Sequence, residues 1–137
     1  MRFRCDPETM FDHISLQVND VAASRDLYAA VLAPLGITPG HDNGTTVGFF
    51  GPDSDSSSFW LSPAERSEDR ELHLAFRAAD RATVEAFHAA ALAIGAEVLN
   101  APRIFPEYHE HYYGAFIRDL DGHNIEAVCH QPEGRPG

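Results

Sequence analysis

Two histidines and one glutamate are the residues of this sequence best suited to bind a metal. His13 and His73 each lie in a segment in which polar and apolar residues alternate, which is typical of a half-buried strand. Glu126 lies on the polar side of the last predicted strand. Two imidazoles and one carboxylate suit a divalent transition metal and leave coordination positions for water or substrate. The three side chains would meet only through the fold, and a single strand histidine is more often a hydrogen-bonded structural residue.

The two histidines occupy the same place in two similar halves of the chain. Each is followed seven residues later by an aspartate, Asp20 or Asp80, which suits the N-cap of a helix. Gly36 and Gly95 follow the apolar stripes of the two predicted helices and are expected to end them. Each half therefore predicts a strand, a helix and about three further strands, which indicates an α+β fold made of two repeated units.

The composition limits the classes of function. The chain has 137 residues, of which 44% are hydrophobic, enough for one domain with a core. The 10 basic residues, all of them arginine, stand against 21 acidic ones, and the net charge of −11 disfavours nucleic acid as a partner. No apolar run is long enough to cross a membrane, and the two cysteines, Cys5 and Cys129, lack a Cys-x-x-Cys spacing. We therefore expect a cytoplasmic domain with a small-molecule substrate and no membrane or nucleic-acid partner.

Four segments of the sequence are similar to motifs of a known family. They are Phe11-Asp12-His13, Asp20 with the helix that follows it, Leu72-His73-Leu74, and Arg118-Asp119-Leu120-Asp121-Gly122-His123-Asn124-Ile125-Glu126. The last segment is the most specific, because the family typically shows Asp-Pro-Asp-Gly-x-x-x-Glu there, with Leu120 replacing the proline. Over about residues 11–130 the sequence resembles the vicinal oxygen chelate superfamily, which holds glyoxalase I, extradiol dioxygenases, fosfomycin-resistance transferases and bleomycin-binding proteins.

The resemblance implies a fold, a metal site and an oligomeric state. The fold would be α+β, with two βαβββ modules that form an open curved sheet around a metal-binding cleft. The boundaries would be a single domain at 10–131, module one at about 10–64, module two at about 70–131, and flexible tails at 1–9 and 132–137. His13, His73 and Glu126 would bind one divalent ion (Zn, Ni, Mn or Fe(II)), no other cofactor is implied, and the protein would be a homodimer.

Trp60 marks a departure from glyoxalase I, which has a fourth metal ligand, also its base, on the last strand of the first module. The later strands of the two halves correspond at an offset of 66 residues. This offset places Trp60 at that position, where it corresponds to Glu126 of the second half. Because an indole does not coordinate a divalent cation, we expect three protein ligands, with water in the remaining positions. Trp60 would be either a packing residue or a stacking wall for a flat substrate.

The segment 103–113 concentrates titratable and aromatic residues in a predicted loop. As a lid it would supply His109 or His111 for acid–base chemistry, and Tyr108 and Tyr112 as hydrogen-bond donors to a bound substrate. The alternative is a solvated acidic loop.

Other polar residues have both a functional and a structural interpretation. Arg77 shares a face with His73 and is a candidate for binding a substrate carboxylate, or else it forms a salt bridge with Glu71 or another acidic residue of the cleft. Cys129 is expected to be a buried thiol. The interpretation of His41, His88 and His130 is that they are surface or tail residues.

Three functions remain open at the level of the sequence. The first is a glyoxalase-like lyase or isomerase, in which the metal stabilises an enolate, an alkoxide or a similar anion. The second is an extradiol-type dioxygenase acting on a catechol-like substrate, since a three-ligand site with open positions suits oxygen chemistry. The third is a non-catalytic protein that sequesters a drug-like ligand, which should purify without stoichiometric metal.

Overall fold

The computed structural model describes residues 11–52, 57–64 and 71–132. The predicted tail at 1–9, which contains Cys5, lies outside the described residues. So does all but the first residue of the predicted tail at 132–137.

Each half of the chain forms one strand, one helix and three further strands, in the order predicted from the sequence. The first half contains β1 (His13–Val18), α1 (Val21–Leu32), a 3-10 turn (Ala33–Leu35), β2 (Thr38–Asp42), β3 (Val47–Phe50) and β4 (Ser58–Pro63). The second half contains β5 (His73–Arg77), α2 (Arg81–Ala93), β6 (Val98–Ile104), β7 (Tyr113–Arg118) and β8 (Asn124–Cys129). Because β6 and β7 extend into the predicted loop at 103–113, the loop itself is reduced to residues 105–112.

Each half folds into a four-stranded sheet whose first and last strands are neighbours. The strand order is β1-β4-β3-β2 in the first sheet and β5-β8-β7-β6 in the second. β1 is parallel to β4 and β5 is parallel to β8, whereas the other neighbours are antiparallel. The predicted α+β fold of two βαβββ modules with open sheets is therefore confirmed, and the two strands that begin with a histidine, β1 and β5, lie at sheet edges.

Both helices begin at the predicted caps. Oδ1 of Asp20 accepts a hydrogen bond from the backbone N–H of Ala23 at 3.0 Å, and Oδ1 of Asp80 accepts one from Thr83 at 2.8 Å. After α1 and its 3-10 turn, Gly36 has a φ of 78°, a left-handed conformation that glycine adopts without strain. These local contacts fix the points at which each helix begins after its first strand.

The apolar faces of both sheets pack against the helices in one continuous core. Tyr28 on α1 is fully buried, and its hydroxyl donates a hydrogen bond to Oδ2 of Asp119, 2.6 Å away, directly after β7. Phe59 of the first sheet packs edge-on against Phe76 of the second, with ring centroids 5.4 Å apart. The two modules therefore meet through their helices and apolar faces, which leaves the opposite face of each sheet for polar residues.

Cys129 lies on the packed side of β8 and is fully buried, as predicted. It shares that face with Ile125 and Ala127, which are also buried. Neither helix in the described part of the chain has the length and hydrophobicity that a membrane span requires.

Candidate functional site

The polar face of the second sheet brings two of the three predicted metal ligands together. In the parallel pairing of β5 with β8, Ala75 lies opposite Glu126 and Arg77 lies opposite Val128. Because side chains alternate along a strand, His73, Arg77 and Glu126 share one face of the sheet. Nε2 of His73 lies 2.8 Å from Oε1 of Glu126.

Glu126 is a fully buried carboxylate with a partner for each oxygen. Oε1 faces His73, and Oε2 accepts a hydrogen bond from the hydroxyl of Tyr112. Gly114 on β7 leaves room for this arrangement, since a Cβ there would lie 3.3 Å from Oε2 of Glu126 and 3.4 Å from the Tyr112 ring. A buried carboxylate is costly without such partners, so these contacts hold it in one orientation.

Tyr112 is a hydrogen-bond donor in this arrangement. Burial raises the pKa of its phenol, and the hydrogen bond to Glu126 raises the pKa further, so the hydroxyl keeps its proton at neutral pH. The loop that carries Tyr112 closes on itself, because the N–H of Phe105 donates to the carbonyl of Tyr112 at 2.8 Å. Tyr112 therefore approaches Glu126 from a folded segment, even though its residues form no regular helix or strand.

His13 lies apart from this pair, on the edge strand of the other sheet. Its Nδ1 lies 2.8 Å from Oδ1 of Asp12, and its side chain is 60% exposed. Within the described residues, no group of three histidine, cysteine or acidic side chains is arranged to hold a metal. The chain thus brings His73 and Glu126 together but does not bring His13 to them.

His109 and His111, which the sequence predicts to be acid–base residues, lie in the 105–112 loop together with Tyr112. Nε2 of His109 lies 2.8 Å from Nδ1 of His130, and Nδ1 of His109 accepts a hydrogen bond from the backbone N–H of His111 at 3.0 Å. The ring of His111 is 3.5 Å from Glu110. Tyr112 lies edge-on to His109 and to His130, with centroid distances of 5.6 and 5.3 Å.

His130 is a candidate site residue that the sequence analysis missed. Its interpretation as a tail residue is incomplete, because the ring stacks on His109 with a centroid distance of 5.1 Å. Burial lowers the pKa of His130, and the neighbouring His109 and Arg77 lower it further. Continued alternation from Glu126 through Val128 to His130 is the sequence signal that could have placed it on the same face.

The predicted substrate-contacting aromatic residues lie in two different places. Trp60 pairs with Ser15 of β1 and so shares a face with His13. Its ring covers Gly48, where an added Cβ would lie 2.6 Å from the indole. Tyr108, by contrast, is 61% exposed and stacks on Phe105 in the loop, with centroids 5.8 Å apart.

Arg77, the predicted carboxylate-binding residue, does not pair with Glu71. Glu71 instead accepts a hydrogen bond from Arg118 at 2.6 Å. Among the residues that the structure describes, no carboxylate lies within ion-pair distance of Arg77. On the face that carries Glu126, Arg77 is therefore a cation without a counterion among the described residues.

Known proteins share the sequence pattern and the fold of this chain. The model of the glyoxalase/bleomycin resistance protein/dioxygenase superfamily matches residues 10–127. Among solved structures, a glyoxalase/bleomycin resistance protein from Albidiferax ferrireducens is 29% identical with a TM-score of 0.76, and the match covers 88% of this chain and 99% of that one. No curated protein sequence matches the chain.

More distant structures share the fold. Lactoylglutathione lyase from Agrobacterium tumefaciens is 20% identical with a TM-score of 0.66, over 90% of this chain and 96% of that one. The oxidase ChaP-H2 is 19% identical with a TM-score of 0.63, over 95% of this chain and 99% of that one. Proteins named for different activities thus share this architecture.

Proposed function

Because the chain belongs to the glyoxalase/bleomycin resistance protein/dioxygenase superfamily, as its resemblance to the vicinal oxygen chelate proteins predicted, we propose that it is a metal-dependent, glyoxalase-like lyase or isomerase. Its substrate would be a small molecule that binds the metal through neighbouring oxygens. The observation that carries the proposal is the fully buried Glu126 carboxylate, which faces the imidazole of His73 at 2.8 Å.

The donor set on the second sheet fits a divalent metal. Imidazole nitrogen and carboxylate oxygen are common ligands of such ions, and the two donor atoms are close enough to share one ion. The superfamily is generally metal-dependent, which agrees with this donor set. When bound, the cation would act as a Lewis acid on the substrate oxygens.

His13 has the surroundings of a third ligand. The carboxylate of Asp12 contacts its Nδ1, which leaves Nε2 available, and metal-binding histidines usually donate their other ring N–H to such a group. Since His13 lies apart from His73 within the chain, we infer that a second copy of the chain supplies it. The exposed side chains of Phe11 (58%) and Leu72 (38%), next to the edge strands β1 and β5, offer apolar surface for this homodimer.

Other residues of the chain would orient the Glu126 carboxylate, exchange a proton with the substrate and favour one class of substrate. Tyr112 holds Glu126 in a fixed orientation and stays protonated, so its hydroxyl is a donor and not a base. His109 has both ring nitrogens in hydrogen bonds, which leaves His111 as the more available acid–base group of the loop. Trp60 would border the site from the first sheet and favour flat or apolar substrates by stacking.

Metal analysis of the native protein tests the proposal directly. We expect about one divalent ion per chain, and loss of one of three ligands in His73→Ala should reduce the affinity for added Zn²⁺ by more than about tenfold. His88→Ala on α2 is the matched control and should bind Zn²⁺ as the native protein does. Undiminished Zn²⁺ binding in His73→Ala would contradict the assignment.

A substrate panel then separates the candidate activities. Thiohemiacetals test the lyase or isomerase, and catechols test the extradiol dioxygenase, which remains the alternative because a three-ligand site without a fourth protein ligand suits oxygen chemistry. A protein that purifies without metal and binds aromatic ligands without turnover would support the sequestering function instead.

A further inference from the structure

Arg77 occupies an unusual electrostatic position. In the described part of the chain, carboxylates form ion pairs with three other arginines, namely Arg25, Arg103 and Arg118. Arg77 has no such partner there, although the chain carries a net charge of −11. A guanidinium left without a counterion beside a candidate active site is available to a carboxylate of a ligand.

The hydrogen bonds of His109 determine where the protons of the histidine pair lie. Nδ1 of His109 accepts from the N–H of His111, so the proton of the neutral ring is on Nε2. That proton points to Nδ1 of His130, 2.8 Å away, which must therefore be unprotonated. The proton of His130 is then on Nε2, and this N–H has no acceptor among the described residues.

Strand pairing places this second donor next to Arg77. Arg77 lies opposite Val128, and His130 follows Val128 by two residues on the same face. The pairing continues at this point, since the N–H of Ala78 donates to the carbonyl of Val128 at 2.8 Å. The influence of Arg77 on the pKa of His130 agrees with this proximity.

We propose that Arg77 and the Nε2–H of His130 form a binding site for a carboxylate group of the substrate. The site deepens the proposed function, on which it rests, by specifying the class of substrate. Along the strand, Arg77 lies about 7 Å beyond the position opposite Glu126. The carboxylate would therefore be several bonds away from the oxygens that bind the metal.

The test uses a carboxylate probe and metal-free protein. Native protein treated with EDTA is titrated at constant ionic strength with benzoate and with benzamide, a neutral molecule of nearly the same shape. We expect saturable changes in the ¹⁵N signals of the Arg77 side chain and the His130 ring with benzoate, and much weaker changes with benzamide. Nitrogen shifts of the two histidines should also show that Nε2 carries the proton in both.

Variants show whether the named residues are responsible. Arg77→Gln should weaken benzoate binding about tenfold, because one charge-assisted contact is lost. His130→Phe, which keeps a ring but removes the donor, should weaken it severalfold, whereas Arg25→Gln on α1 should leave it unchanged. Equal affinity for benzoate and benzamide, an unchanged affinity in Arg77→Gln, or a proton on Nδ1 of His130 would overturn the proposal.

The same measurements separate this proposal from the proposed function. Benzoate binding without EDTA-sensitive metal would leave the carboxylate site standing and contradict the metal-dependent activity. Stoichiometric metal at His73 and Glu126 without selective benzoate binding would leave the metal site standing and contradict the carboxylate site.

Discussion

Removal of one hydroxyl, in Tyr28→Phe, should measure how strongly the two modules are joined. Tyr28 belongs to α1 in the first module, and its hydroxyl donates to Oδ2 of Asp119 in the second, at 2.6 Å. Tyr28 is 0% exposed and Asp119 is 6% exposed, so water does not readily replace the lost partner. Burial raises the pKa of Tyr28, so the phenol stays protonated and the contact persists across the neutral range.

The expected cost follows from the type of contact. A buried hydrogen bond to a charged acceptor contributes about 1.5–3 kcal/mol to the free energy of unfolding. For a domain of this size, that corresponds to a fall in Tm of roughly 5–12 °C. Since Oδ1 of Asp119 also accepts from the N–H groups of Asp121 and His123, the turn after β7 keeps part of its support.

Urea and thermal unfolding followed by circular dichroism would measure this cost. Tyr113→Phe is the matched control, because its hydroxyl donates to Glu85 at 2.9 Å in an exposed position and should contribute little. A double-mutant cycle with Asp119→Asn isolates the contact itself. A loss in Tyr28→Phe no greater than in Tyr113→Phe would refute the reasoning that this hydrogen bond couples the modules.

Three further substitutions test other parts of the structure. Asp80→Ala should lower the Tm by a few degrees at neutral pH. Hydrogen bonds from Thr83 lower the pKa of Asp80, so the Tm difference should be complete above the ordinary carboxyl pKa of about 4, shrink as the pH falls below it, and vanish only below the lowered pKa. Gly48→Ala should cost about 1–3 kcal/mol in urea unfolding, since the new methyl group meets the ring of Trp60, and this cost should disappear in a Trp60→Leu background. Tyr112→Phe should weaken Zn²⁺ binding, measured by competition with a chelator, by roughly 10-fold or more, because Glu126 loses its orienting donor. It should also lower the Tm of the metal-free protein, because Oε2 of Glu126 is left buried without a hydrogen-bond donor.

The elements that position the site could be predicted because their signals are local. Alternation around His73 and Glu126 placed both side chains on the polar faces of their strands, and the structure confirms that face. Asp20 and Asp80 cap the helices as expected, since capping depends on a few consecutive residues. Such signals do not depend on how the two modules pack.

The way in which the two modules are placed relative to each other could not be predicted from such local signals. His13 has the same strand position as His73, but strand periodicity does not show whether two edge strands meet within one chain or between two chains. The sequence did not identify His130 as a candidate site residue, because its place there depends on a long-range contact with His109, 21 residues earlier in the sequence. Trp60 was matched to Glu126 by an offset, which predicts its strand and face but not that Gly48 accommodates its ring.

The strand order also has a consequence for how the site comes into being during synthesis. β8, the last of the described strands in chain order, does not join the second sheet at its edge but inserts between β5 and β7. The first sheet has the same arrangement, with β4 between β1 and β3, and all four of its strands precede β5 in the chain. Until β8 is synthesised, β5 has no neighbouring strand in its sheet, and His73 lacks its partner, the carboxylate of Glu126. The second half of the nascent chain is therefore open to mispairing until β8 has been synthesised.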